Sequence, residues 1–193
     1  MKRIALGFII AVSILISNAY ADGPSNNINF FLGQKQLNSD DWEPYEEQGE
    51  FGILCDFRGA DWPVSIAVEI LGSAKEETEG GVDITGSTTE LCIGVKKIWE
   101  DQGTPIRPFI GMGLASITAE VEAEYLGDTA SSDATGLGYY ISGGVYFTVG
   151  DHLNLGVLAR YSYASVSVED YDDYEYDIDA GGTHVGVFVG YHW

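Results

Sequence analysis

From Val185 to Trp193 the sequence reads VGVFVGYHW, and an apolar side chain takes every second place: Val185, Val187, Val189, Tyr191 and Trp193. A period of two marks a strand with one apolar face. Such a strand at an open sheet edge invites aggregation. The pattern therefore asks for a closed sheet whose apolar face meets something other than water.

The same period recurs along the chain. EFGILCDFR sets Phe51, Ile53, Cys55 and Phe57 against Gly52, Leu54, Asp56 and Arg58. VSIAVEILG, TELCIGVKK, LGYYISGGVYFTV and LNLGVLARYSY repeat it, with Glu69, Glu90, Lys96 and Arg160 among the minority set. NINFFLGQKQL is mixed. In RPFIGMGLASITAEVEAEY the apolar phase moves from Ile110, Met112 and Leu114 to Ile117, Ala119 and Val121, which predicts a bulge near Ala115 and Ser116. With the last strand the count is about eight, even as bacterial outer-membrane barrels require. The fold class expected is all-β: a closed, antiparallel, up-and-down transmembrane barrel.

The minority face decides which side is the core. It carries Gly, Ser and Ala together with Asp56, Arg58, Glu69, Glu90, Lys96 and Arg160, charges of both signs. Small residues and paired charges suit the narrow polar interior of a small membrane barrel, and the continuous apolar set then faces lipid. The connections alternate short (GADWP, EDQGTP, GDH) and long (38–48, 74–87, 120–136, 169–182). Short periplasmic turns and long external loops give that alternation. The four long segments hold five, four, five and seven of the 30 acids, so charge gathers at one end. Trp62, Trp99 and Trp193 fall by the other end, where amphipathic rings form an aromatic girdle at the headgroups.

MKRIALGFIIAVSILISNAYA has a basic start, an apolar run and small residues at Ala19 and Ala21, the features of a secretory signal peptide cut after residue 21. The expected mature domain is the barrel 22–193. No later apolar run is long enough for a membrane helix, so insertion must be by strands. The net charge of −21 becomes more negative when Lys2 and Arg3 leave, which argues against nucleic acid and against a basic lipid-binding patch. Cys55 and Cys92 fall on opposite faces of strands that have a third between them. Two separate buried thiols are expected, not a bridge.

VYFTVGDHLNLGVLARYSY and RPFIGMGLA resemble recurring hairpins of the small outer-membrane β-barrel superfamily, the OmpA/OmpX-type and opacity-protein-like chains. The ending Val189, Tyr191, Trp193 is similar to the carboxy-terminal signal read by the barrel assembly machinery. The resemblance implies a Gram-negative outer-membrane address in contact with lipid and lipopolysaccharide. No periplasmic domain of the OmpA type is expected after the barrel. Members serve as anchors, adhesins, small-solute pores and lipid-modifying enzymes, and fold does not choose among them.

Lipid A-modifying barrels resemble one another in using Ser and His near the outer leaflet. Of the three histidines only His184 lies at that end, and its alternation points it inward with no local serine motif beside it. An interior polar side chain is the plainer reading, so no enzyme and no cofactor is expected. The inward charges line either an ion path or a salt-bridged plug. An eight-stranded barrel is just wide enough for its own side chains, which favours the plug. VEDYDDYEYDIDAGG interleaves seven acids with Tyr171, Tyr174 and Tyr176. Asp172, Asp173, Asp177 and Asp179 offer hard oxygen ligands for a divalent cation, although the spacing is not that of an EF-hand loop. The role expected is a non-enzymatic surface barrel for envelope integrity or contacts with an external protein or cation, the alternatives being a narrow pore or a lipid-modifying enzyme.

Overall fold

The computed structural model describes residues 26–60, 62–79, 82–100, 104–125, 128–150, 152–169 and 175–193. The expected signal segment 1–21 lies outside them. The strands are β1 (Asn27–Gln36), β2 (Glu47–Phe57), β3 (Ser65–Glu79), β4 (Val82–Ile98), β5 (Ile106–Tyr125), β6 (Asp128–Val149), β7 (Leu153–Tyr163), β8 (Ser165–Glu169), β9 (Glu175–Asp179) and β10 (Gly182–His192), with one short helix, α1 (Ser39–Trp42). Eight strands close an antiparallel barrel in the order β1-β10-β7-β6-β5-β4-β3-β2, while β8 and β9 pair with each other.

Closure runs through β1 and β10, where Phe30 opposes Val189 and Leu32 opposes Val187. Beyond the ladder, Asn26 and Trp193 exchange backbone bonds of 3.0 and 3.1 Å. The terminal strand thus has no open edge. Its apolar face turns outward, as do its neighbours': Leu32 and Phe51, opposed across β1 and β2, are each 69% exposed. The interior takes the other parity and alternates large with absent side chains. A Cβ on Gly156 would collide with the Phe188 ring, which fills that space.

Two expectations are corrected. No bulge interrupts β5: Cys92–Ala115, Leu91–Ser116 and Glu90–Ile117 pair one to one. The strand is regular, and its apolar residues change sides. Ile110, Met112 and Leu114 are exposed outside, whereas Ala115, Ile117 and Ala119 are buried inside with Leu37, Trp42, Tyr140, Val166 and Ala180. An apolar cap at the end opposite the short turns explains the switch.

The segments 74–87 and 120–136 are mostly strand, not loop. β5 and β6 pair continuously from Ile106–Phe147 to Tyr125–Asp128. The ladder of β6 to β7 stops at Tyr139–Tyr163, and that of β3 to β2 at Gly49–Ala74. The outer parts of β3–β6 therefore project past the barrel as a four-stranded sheet. Acids on solvated strand faces carry no desolvation cost, and hydroxyl pairs help the register, as in Thr118–Thr135 at 2.9 Å.

Candidate functional site in the barrel interior and its mouth

Ascending from the short-turn end, the interior is a stack of bonded layers. Arg107, at the start of β5, donates to Asn154 Oδ1 at 2.7 Å and Asn27 Oδ1 at 3.2 Å, and pairs with Glu100 at 3.1 Å. Asn27 in turn donates to Asp56 Oδ1 at 2.6 Å, and the Tyr146 hydroxyl donates to Asp56 Oδ2 at 2.8 Å. Around them Phe31, Leu54, Phe109, Leu158 and Phe188 pack as an apolar layer, with Tyr146 and Phe188 edge to face at 4.9 Å.

The ionic layers follow. Lys96 Nζ lies 3.4 Å from Asp56 and 3.1 Å from Glu69. Arg160 reaches Glu69 at 2.7 Å with Nη1 and Glu90 at 3.1 Å with Nη2, while its guanidinium lies 4.0 Å from the Tyr140 ring. Lys35 Nζ is 2.8 Å from Glu90 and donates to Thr88 Oγ1 at 2.7 Å and Ala180 O at 3.0 Å. Each of Lys35, Asp56, Glu69, Glu90, Lys96 and Arg160 is buried, and each meets opposite charge. A buried ion left without its partner would cost several kcal/mol, so the network is self-consistent only when complete.

Above these, Trp42 closes the mouth. Asn38 caps α1, accepting from Asp40 N at 3.2 Å, and the one-turn helix lays Trp42 into the apolar cap, where its indole donates to Asp179 O at 2.8 Å.

His184 lies inside the barrel, as its alternation predicts, and the structure adds partners that the sequence does not show. Nε2 lies 2.9 Å from Ser162 Oγ and Nδ1 lies 2.7 Å from Glu50 Oε1, a Ser–His–Glu arrangement assembled from β7, β10 and β2. No local motif could announce it, because strand closure brings the three together. Yet Ser162 Oγ also donates to Glu90 Oε1 at 2.9 Å. A carboxylate there opposes the negative charge that acyl transfer would develop at the serine. All three side chains are buried among charges, and two clefts among the described residues, one at the mouth and one on the wall, are lined by other residues.

Of the interior charges read from sequence, Asp56, Glu69, Glu90, Lys96 and Arg160 come together in this stack. Arg58 does not: it lies just past β2 at the rim, pairing with Glu100, and its backbone N–H donates to Asn26 Oδ1 at 3.1 Å. Lys35, Glu50 and Arg107 were missed. Phe31, itself interior, hid the alternation of Asn27, Asn29 and Lys35 against Ile28, Phe30 and Leu32.

Trp62 and Trp99 are exposed at the short-turn end, and Trp193 is half-buried beside Tyr191, ring centroids 6.0 Å apart. Cys55 and Cys92 are free and buried, with Cys92 inside against Arg160 at 2.7 Å. Asp172 and Asp173 lie outside the described residues. Asp177 accepts from Ser167 and Asp179 from the Gly181 N–H, and among the described residues no group of three His, Cys, Asp or Glu is arranged to hold a metal ion.

A closed eight-stranded barrel, apolar outside and ionic inside, has the architecture of the small outer-membrane barrels. No protein-family model and no curated protein matches the sequence. Solved structures do match. Ail of Yersinia pestis, in complex with the heparin analogue sucrose octasulfate, superposes with TM-score 0.59 at 13% identity, over 89% of this chain and 99% of that one. OprG of Pseudomonas aeruginosa gives 0.57 at 13% over 89% and 96%, and Neisserial surface protein A 0.52 at 13% over 87% and 94%. At such identity the likeness is one of fold.

Proposed function

We propose that this chain is a non-enzymatic Gram-negative outer-membrane barrel, plugged by its own ion pairs, that works through its projecting external end. One observation carries the reading: the ionic interior is packed and paired under a Trp42 cap, while four strands run past the barrel into solvent. The exposed apolar belt meets lipid and lipopolysaccharide, and Trp62, Trp99 and Trp193 mark the periplasmic headgroup level. A signal peptide spanning 1–21 delivers the chain, and Val189, Tyr191 and Trp193 form the strand read by the assembly machinery. The external end supports envelope integrity or contacts with a partner outside the cell. The polyanion bound to Ail does not transfer to this chain, because acids crowd its external segments.

Two measurements test this. The refolded barrel in a planar bilayer is expected to pass no current, and discrete steps that change in Glu69→Gln or Lys96→Met would make the interior a path. A fluorophosphonate probe is expected to leave Ser162 unmodified. Stoichiometric labelling, lost in His184→Ala, would restore the enzyme reading.

A further inference from the structure

The interior ions form a chain that alternates in sign. Asp56, Lys96, Glu69, Arg160, Glu90 and Lys35 follow one another, each within 3.4 Å of the next. Acids and cations are equal in number along it, so that run is neutral. Glu50 is one acid more, and it is buried. Its Oε1 lies 2.7 Å from His184 Nδ1, and its Oε2 has no hydrogen-bond partner among the described residues. Arg58 and Arg107 stand with Glu100 at the short-turn end of the stack, away from it.

A buried carboxylate beside a neutral ring would carry an uncompensated charge, which one additional proton on the Glu50–His184 pair removes. The contacts place that proton on the ring. Imidazole is the stronger base of the two. Ser162 gives its hydroxyl hydrogen to Glu90 Oε1 at 2.9 Å, so its oxygen, 2.9 Å from His184 Nε2, can only accept there. Glu90 Oε1 itself lies 3.4 Å from Nε2. Both ring nitrogens thus face acceptors, and only the doubly protonated ring donates from both. The charged and titratable groups around the ring are engaged elsewhere. Lys35 on β1 and Arg160 on β7, its register partners, are bound to Glu90, and Glu69 on β3 answers Lys96 and Arg160. Cys92 on β4 and the Tyr140 ring on β6 lie against Arg160.

We infer that His184 is an imidazolium in the folded barrel, the cation that answers Glu50, and that the pair is a proton-dependent latch across the closing seam. Glu50 is on β2 and His184 on β10, the two strands that flank β1. Their contact bridges the strand whose pairing closes the barrel, beside the Lys35 that holds Ala180 O of the apolar cap. A ring already protonated at Nε2 cannot take the Ser162 proton, so the inference rests on the plugged, non-enzymatic reading and deepens it. From about pH 7 to about pH 8.5 an unfolded chain holds an ionised glutamate and a mostly neutral histidine, whereas the folded pair keeps its proton. Unfolding releases that proton, so stability falls as the pH rises.

The test uses the full mature chain, refolded, with its histidines labelled with nitrogen-15. The His184 signals are assigned by elimination with His152→Gln and His192→Gln. At about pH 8, above the range in which a free histidine titrates, the ring is expected to carry a hydrogen on both nitrogens. Urea unfolding in lipid vesicles should show an unfolding constant that rises about tenfold per pH unit over the same range, the dependence of one released proton. Glu50→Gln removes the additional acid at nearly constant size. It is expected to leave one ring nitrogen bare and to flatten the pH dependence. His152→Gln, at an exposed ring, should keep both signatures. Gel mobility without heating reports that each variant has folded.

A bare ring nitrogen in the wild type at about pH 8, or a pH dependence that survives in Glu50→Gln, would overturn the inference. The same preparations in a planar bilayer separate the two ideas. A silent barrel with a neutral His184 removes the latch alone, and current steps remove the plugged-barrel reading itself.

Discussion

Arg160→Met is expected to lower the unfolding free energy of the refolded barrel by about 3–5 kcal/mol, the usual cost of removing one partner from a buried ion network. Among the described residues Arg160 alone bridges Glu69 and Glu90, so its loss leaves Glu69 to Lys96, which Asp56 also engages, and Glu90 to Lys35. The change also removes the cation from the Tyr140 ring and the donor from Cys92. Arg160→Lys keeps the charge but replaces a planar fork, whose two nitrogens address separate carboxylates, with a compact ammonium that also loses the Tyr140 stacking geometry, and a loss of about 1.5–3 kcal/mol is expected. Urea unfolding in lipid vesicles, followed by tryptophan fluorescence, measures both. Wild-type stability in Arg160→Met would mean that the interior is solvated, and the plug would fall with it.

Trp42→Ala should cost about 3–5 kcal/mol, the range for truncating a buried aromatic. Trp42 is 4% exposed, shares one buried cluster with Leu37, Val166 and Ala180 and with the barrel residues Ile117 and Tyr140, and holds Asp179 O. Losing it opens the external mouth above the ionic layers. The bilayer should nonetheless stay silent, because Phe31, Phe109, Tyr146 and Phe188 close the barrel nearer its other end. A variant that is both destabilised and conducting would show that the cap is the gate of a pore. A variant with unchanged stability would show that the cap is not packed as described.

Some of this was legible from residue order. Lipid-facing positions announce themselves because a strand turns alternate residues to opposite sides, so Phe51, Ile53, Val185 and Val187 declared a face without any partner being known. The same rule placed Asp56, Glu69, Glu90, Lys96 and Arg160 on the other side. It failed where both sides of a strand are alike. Lys75–Glu79 and Asp128–Gly136 are polar or small throughout and read as loop, although hairpin pairing carries them on as strand. It failed again at Ile117 and Ala119, where an apolar cap inside the barrel reverses the expected sides and imitates a bulge.

The sequence by itself determined the strand period, the outward apolar face and the inward charges. These are properties of neighbours along one chain, set by the geometry of an extended backbone. Which charge meets which, that His184 lies between Ser162 and Glu50, and that Trp42 caps the mouth were decided only by the tertiary structure. Closure and register join residues from strands far apart in the chain, as when Glu90 receives Lys35 and Arg160. Each such pairing depends on the placement of the whole barrel at once, which no local pattern contains.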